Sequence, residues 1–311
     1  MQALQSFTPL FLGIDAGGTR TRWALADADG AVQREGAVAG LSALQLHDEA
    51  GLADLQLTLQ SLARDSASGA TVQGVLAGVT GLDDAQRPRL GELLARALGV
   101  SAARVQVISD IDLMCRAAPG AYVIYAGTGS IAAFIDEAGT LQRAGGRGAV
   151  IDDAGGGHWI AREALRRIWR AEDAAPGAWR ASAMAQRVFE IIGGSDWAQT
   201  RLWVYGASRG ELGRLSLAVA QAAHADSDRH SDSEAQALLR EAGSELARLA
   251  RALLQRHGTR PMLLAGRVFD LHPCIAEQLL SELPVGTKRI ASAAPAQHAA
   301  ARLASQREAS A

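Results

Sequence analysis

An α/β protein of two ordinary-sized domains is what this chain predicts, and three observations predict it. A strand, a glycine turn and a second strand open the chain at residues 11–30, FLGIDAGGTRTRWALADADG. Alternating strand and helix patterns follow as far as Ser109-Asp110. A second strand, glycine turn and strand, VIYAGTGSIAAFID over 123–136, then repeats the opening. The length of 311 residues suits two domains. A composition 48% hydrophobic and 21% charged supplies ample core.

The opening run of Leu10, Phe11, Leu12 and Ile14 is long enough for a buried strand. Asp15 follows, then the small-residue turn Ala16-Gly17-Gly18-Thr19. A second strand-like run over 21–26 ends at 27–30, whose Asp-Gly ending is a hairpin-turn signal. In a Walker-type loop or a Rossmann fingerprint the glycine turn opens a helix; here it joins two strands. At Gly17 and Gly18 no Cβ stands between backbone N–H groups and an anion. Thr19 adds a hydroxyl donor, and Asp15 stands where it could hold a hydrated Mg²⁺. Taken alone, an ordinary hairpin with an acid at its mouth reads the same way.

A third strand is predicted around 36–38 and a loop over 40–43. Leu52, Leu55, Leu59 and Leu62 recur at helical spacing and predict a helix over roughly 48–64. Residues 72–79 read as a strand ending in the small-residue loop Gly78-Val79-Thr80-Gly81. A helix over 88–98 closes at Gly99, and a β-branched run over 105–108 stops at Ser109-Asp110. Loops at one end of such strands build the site.

The second round begins at Tyr122, with its hairpin end over 136–139. Two glycine–threonine turns at the same point of two similar units can grip a polyphosphate from both sides. Next comes GGRGAVIDDAGGGHWIAREALRRIWR over 145–170, where two glycine clusters bracket Asp152 and Asp153. A helix is predicted from near His158 to about Ala171. Backbone N–H groups at its start, and an acid facing polar hydroxyls, would let this segment close over a small ligand. A glycine-rich surface loop is the plainer reading.

Residues 184–192 and 210–224 read as helices. The stretch HADSDRHSDS over 224–233 is a polar, solvated loop, because nothing orders its His and Asp residues for a metal. A long amphipathic helix over 233–257 is capped by Ser231 or Ser233. A strand over 262–265 runs into Gly266-Arg267-Val268-Phe269, and a strand-like 288–291 precedes an Ala-rich helix from about Pro295.

Bulk properties exclude several classes. A formal net charge of −2 lacks the basic face of a nucleic-acid binder. No run approaches the ~18 uncharged apolar residues of a membrane helix. The start, MQALQSFTPL, lacks the basic and apolar regions of a signal peptide. Cys115 and Cys274 are far apart and sit in no metal spacing, so a reduced, cytoplasmic enzyme is expected.

Five segments in order carry a resemblance: IDAGGTRT, ISDIDLMCRAA, YAGTGSIA, GGRGAVIDDAGGGHWI and LLAGRVF. They resemble the first phosphate, connecting, second phosphate, sugar and adenosine motifs of the sugar kinase, actin and chaperone ATPase superfamily. More narrowly, the chain is similar to the N-acetylglucosamine kinase branch of the BadF/BadG/BcrA/BcrD ATPase family, over nearly its whole length. The resemblance implies two RNase H-like (actin-like ATPase) domains hinged around a central cleft, over 1–117 and 118–294. The helix over about 295–311 would pack back on the first. It also implies Mg-ATP and a sugar in the cleft, closure that excludes water, and a homodimer.

Carried over residue by residue, the resemblance makes Asp110 the general base for a sugar 6-hydroxyl. Asp112 is a second candidate for that role, and a helix N-cap is the plainer reading of Asp110. Asp15 would hold Mg²⁺ through water. Gly17, Gly18, Thr19, Gly127, Thr128, Gly129, Gly213 and Gly266 would bind ATP. Ser130, Gly146, Arg147, Gly148 and Asp153, with Asp110, would bind the sugar. There are departures from the family pattern. Its GDEGS is Asp152-Asp153-Ala154-Gly155-Gly156 here, its GGWG is Gly145-Gly146-Arg147-Gly148, and the Gly-Gly of its adenosine motif is Gly266-Arg267. A sugar-binding Asn expected near Ser42 is replaced by Ala43. The implied reaction is phosphorylation of N-acetylglucosamine, with glucosamine or another amino or acidic sugar as the alternative; Arg147 would favour an anionic group. Two readings from other classes are a non-catalytic sugar or ATP sensor and an iron–sulfur ATPase activator of a dehydratase. Retention of Asp15 and Asp110 argues against the sensor, and the placement of Cys115 and Cys274 against the activator. Zinc-containing sugar kinases are disfavoured because their cysteine-rich motif is absent.

Overall fold

The apolar run at the start of the chain forms β1 (Leu10–Ala16), the central strand of a five-stranded sheet. The computed structural model describes residues 9–67, 71–224 and 231–308. β2 (Arg20–Ala26) and β3 (Val32–Ala39) continue from β1 as an antiparallel meander. After α1 (Glu49–Ala67) comes β4 (Val72–Val79), parallel to β1. After α2 (Arg87–Leu98) comes β5 (Val105–Ser109), parallel to β4, and then α3 (Asp110–Ala117). The spatial order is β3-β2-β1-β4-β5. Successive strand residues face opposite ways. Leu12 and Ile14 therefore enter the core that also holds Leu55, Leu59, Leu90 and Leu94, while Phe11 enters another with Leu76, Ile108 and Leu113.

The second sheet is built from β6 (Tyr122–Ala126), β7 (Ser130–Ile135) and β8 (Leu141–Gly145), again an antiparallel meander. Five helices follow: α4 (Gly157–Ala174), α5 (Ala183–Ile192), α6 (Trp197–Gly206), α7 (Arg209–Gly213) and α8 (Leu215–Ala223). The long α9 (Ser233–His257) leads to β9 (Met262–Ala265), α10 (Pro273–Ser281) and β10 (Arg289–Ile290). β9 is parallel to β6 and β10 to β9, giving the order β10-β9-β6-β7-β8. Strand for strand this is the first sheet's plan. The final helix, α11 (Ala296–Glu308), packs on β1, β2 and β4, with Ala300 and Ala304 among Phe11, Leu76 and Leu113.

The chain divides into two compact units. One is drawn from residues up to Pro119, Glu137–Gly139 and residues from Ser292 on; the other is Gly120–Asp136 with Thr140–Ala291. Each has its own hydrophobic core. Among the described residues no helix is long and apolar enough to cross a membrane.

Several expectations are corrected. Residues 43–47, read partly as loop, form a 3₁₀ turn capped by Ser42. The single helix expected over 210–224 is two, α7 and α8, meeting at Arg214. β8, α6 and α10 were not expected. The cap of α9 is Asp232, whose carboxylate accepts the N–H groups of Glu234 and Ala235, and not Ser231 or Ser233. Of the loop expected over 224–233, residues 225–230 lie outside the described residues. Among the described residues no group of three or more His, Cys, Asp and Glu is set to hold a metal ion.

Candidate functional site

In the first unit the parallel strands β1, β4 and β5 bring their carboxyl ends together, where open α/β sheets bind ligands. The turn between β1 and β2 is Gly17-Gly18-Thr19. Gly17 donates its N–H to the Arg20 carbonyl at 3.1 Å and accepts the Leu41 N–H at 3.1 Å. The N–H groups of Gly18 and Thr19 take no partner among the described residues. A Cβ on Gly18 would meet nothing within 4 Å, so the turn has open space above it.

Asp15 is the next-to-last residue of β1, and Arg22 Nη1 lies 3.6 Å from its carboxylate. Burial pushes the Asp15 pKa up; Arg22 opposes this and the nearby charge of Asp110 adds to it. Asp15 and Asp110 are therefore electrostatic neighbours. Asp110 is the first residue of α3 and not its cap. Ser109 is the cap, its hydroxyl oxygen accepting the Asp112 N–H at 3.2 Å. The Asp110 carboxylate accepts the Ile111 N–H at 2.8 Å and makes no ion pair among the described residues. Asp112 accepts the Arg116 Nε–H at 2.6 Å and pairs with that guanidinium. Of the two acids, Asp110 is the one left uncommitted. Ala43 is fully buried in the core. The neighbouring Ser42 hydroxyl donates to the Thr80 carbonyl at 3.2 Å.

The second unit repeats the turn. Gly127-Thr128-Gly129 joins β6 to β7, with the Gly127 N–H donated to the Gly129 carbonyl at 2.9 Å. The N–H groups of Thr128 and Gly129 are again without partners among the described residues. The first N–H groups of α4 are consumed by this turn: Gly157 donates to the Gly127 carbonyl at 2.8 Å and His158 to the Thr128 carbonyl at 3.0 Å. The helix start expected to cradle a ligand thus braces the glycine turn.

A cavity of about 200 Å³ opens beside that turn, lined among others by Gly127, Thr128, Gly213, Arg214, Arg267 and Val268. Gly266 begins the segment after β9 at φ +100°, and a Cβ there would stand 2.6 Å from the Ala126 carbonyl carbon. Glycine at 266 lets the chain leaving β9 pass close against the end of β6 and places Arg267 at the cavity.

The remaining expected residues gather beside β7. Ser130 is 3% exposed and donates its hydroxyl to the Ala154 carbonyl at 2.6 Å. Gly146 donates its N–H to the Ser130 carbonyl at 3.1 Å. Arg147 is exposed, and Gly148 donates its N–H to Asp153 Oδ1 at 3.1 Å. Asp153 is buried and its Oδ2 pairs with Arg209 Nη2. Arg209 and Arg214 were missed. A readable signal existed in Ser208-Arg209-Gly210-Glu211, a capping box that announces α7.

Comparison with curated proteins finds no match. Among solved structures, a proposed N-acetylglucosamine kinase from Chromobacterium violaceum is 25% identical with a TM-score of 0.71, covering 96% of this chain and 99% of that one. A second proposed N-acetylglucosamine kinase, from Porphyromonas gingivalis, is 16% identical with a TM-score of 0.65, covering 96% and 99%. A ROK family glucokinase from Streptomyces griseus, solved with glucose and AMPPNP, is 18% identical with a TM-score of 0.53, covering 96% and 98%. The last two show the shared fold, an α/β architecture of two five-stranded sheets of the actin-like ATPase type. Residues 12–302 match the model of one family, and with the two equivalent glycine turns they settle membership: the chain belongs to the BadF/BadG/BcrA/BcrD ATPase family.

Proposed function

We propose that the protein is an ATP-dependent sugar kinase that phosphorylates the 6-hydroxyl of an amino sugar, N-acetylglucosamine first among them. The observation that carries this reading is a division of charge between two copies of one turn. The first copy has the carboxylates Asp15 and Asp110 beside it. The second opens on a cavity walled by Arg214 and Arg267. Phosphoryl transfer needs donors and cations on the phosphates and a carboxylate at the attacking hydroxyl. The 25% identical Chromobacterium violaceum protein supports the choice of sugar.

The residues fit a magnesium ion held mainly by phosphate and water. Asp15 is a partly exposed carboxylate with only a loose ion pair, and no protein cage surrounds it among the described residues. Such an ion would neutralise charge on the transferring phosphoryl group. The Thr128 and Gly129 N–H groups and Thr19 hold phosphate oxygens, while Arg267 and Gly266 lie beside the nucleoside. Asp110 accepts the proton of the 6-hydroxyl as the bond from the sugar oxygen to the γ-phosphorus forms and the bond from that phosphorus to the β,γ-bridging oxygen breaks, with ADP as the leaving group. Gly146, Gly148 and Asp153 orient the sugar.

A coupled ADP-release assay with Mg-ATP tests this against N-acetylglucosamine, glucosamine, glucose, N-acetylmannosamine and N-acetylmuramic acid. The expected result is turnover strongest with N-acetylglucosamine. Asp110→Asn is expected to bind AMPPNP normally and to lose a factor on the order of 10² or more in kcat. Silence across the panel with AMPPNP bound would overturn the kinase reading, and full activity in Asp110→Asn would overturn the assignment of the base.

A further inference from the structure

Among the described residues, Asp153 is the one non-glycine residue with a left-handed backbone, at φ +54°. A residue with a Cβ holds that conformation only when its surroundings impose it. Asp153 is 5% exposed, and its carboxylate has two anchors. Oδ1 accepts the Gly148 N–H at 3.1 Å, inside the 146–156 loop. Oδ2 pairs with Arg209, on α7, a different element.

Arg209 touches more than Asp153. A Cβ added to Gly129 would lie 2.5 Å from Arg209 Nη2, so the guanidinium rests against the Gly127–Gly129 turn. Its positive charge also helps to lower the pKa of His158, after burial, the largest cause. The Arg209 side chain is 45% exposed. A guanidinium carries five N–H donors, and among the described residues only Asp153 takes any of them from Arg209. Gly210 and Gly213, on the same short helix, line the cavity. One side chain thus stands between the turn with two open N–H groups and the only buried carboxylate of the adjoining loop.

We infer that Arg209 couples the two halves of this unit's site: it donates to a phosphate oxygen of the bound nucleotide and to Asp153 together. Nucleotide binding then holds residues 146–156 in the arrangement that receives the second substrate. Arg209 is a positioning residue in this scheme, because it reaches the second substrate through Asp153. The inference rests on the nucleotide part of the reading above. By linkage, any tightening of the loop by nucleotide is matched by tighter nucleotide binding when the loop is occupied.

Amide hydrogen exchange across residues 146–156, with and without saturating AMPPNP and Mg²⁺, tests it without any sugar. In the wild type, AMPPNP is expected to slow exchange at the Gly148 amide roughly tenfold. In Arg209→Gln, at AMPPNP concentrations raised until binding saturates, the slowing should fall below about twofold. Arg209→Lys keeps the charge but not the planar fork, and should restore part of the effect. Asp153→Asn should bind AMPPNP and show no slowing. A wild-type response surviving in Arg209→Gln, or no response in wild type with AMPPNP bound, overturns the inference. An Arg209-dependent response beside a silent sugar panel would support it while sinking the kinase reading alone. A wild type that binds no AMPPNP would sink both.

Discussion

Two carboxylates at one sheet end set the residue-scale tension in the first unit. Burial raises the pKa of Asp15, Arg22 counters it, and the Asp110 charge raises it further. A carboxylate with a raised folded-state pKa stabilises the fold only in its neutral form. That contribution is complete below the unfolded value near 3.8 and is lost as pH rises through the folded value. At neutral pH an ionised Asp15 therefore costs stability, which a bound cation would offset. Asp15→Asn is expected to melt higher at pH 7, by a gain on the order of 1 kcal/mol or roughly 2–4 °C. The difference should shrink to nothing by about pH 4, and Mg-ATP turnover should be lost. Melting curves from pH 4 to 8 check it; a lower melting temperature at pH 7 would mean that the Arg22 pair outweighs burial. At this scale the signals were present but not all were read: the plainer reading put the cap at Asp110 and it is Ser109, and Asp112 was read as a second candidate base and is paired with Arg116. Ser109 as a cap and the Asp112–Arg116 pair at i,i+4 follow from residue type and spacing, and together they leave Asp110 unengaged. The burial of Ala43 was not legible, because a motif comparison locates a position in the chain and not the direction in which its side chain points.

Elements were legible where burial imposed a period. β4 and β9 were read with their observed bounds, and α9 likewise, because each has a continuous apolar run or a stripe at helical spacing. β8 is partly exposed along its length, so LQRAG shows no alternation. α6 buries only Thr200, so its apolar residues form no stripe. The break between α7 and α8 falls at Arg214, a good helix former, directly after Gly213; an isolated glycine within a helical pattern is tolerated, so it did not separate the two helices in the sequence. The close passage of the chain leaving β9 against the end of β6 depends on Gly266 for a reason the sequence could not show. Its φ of +100° is strained for any other residue, and the added Cβ would press on the Ala126 backbone, which cannot step aside as a side chain can. Gly266→Ala is expected to cost about 2–3 kcal/mol and to weaken AMPPNP binding at least tenfold by shifting Arg267. Titration calorimetry on the folded variant measures the second effect; unchanged affinity would remove the segment after β9 from the nucleotide site.

At the scale of the whole molecule the same five-strand plan is used twice, and the first unit is completed by the end of the chain. α11 lies on β1 so closely that a Cβ on Gly13 would run into the helix backbone, with the Ala300 carbonyl carbon at 2.8 Å. Neither a strand nor a helix backbone can move aside cheaply, so Gly13→Ala should push α11 away from Phe11 and Leu76 and cost about 2–3 kcal/mol. Whether that loss spreads depends on whether each core melts by itself. The tryptophans allow the question to be put directly, since Trp23 is in the first unit while Trp159, Trp169, Trp179, Trp197 and Trp203 are in the second. In a Trp23→Phe background, tryptophan fluorescence reports the second unit alone, while far-ultraviolet circular dichroism reports both. Separate cores predict that Gly13→Ala brings forward part of the dichroism transition, by on the order of 10 °C, and leaves the fluorescence midpoint in place. If both signals move together, the two units unfold as one cooperative body, and the contribution of α11 extends to the arginine-lined cavity as well as to the sheet it covers.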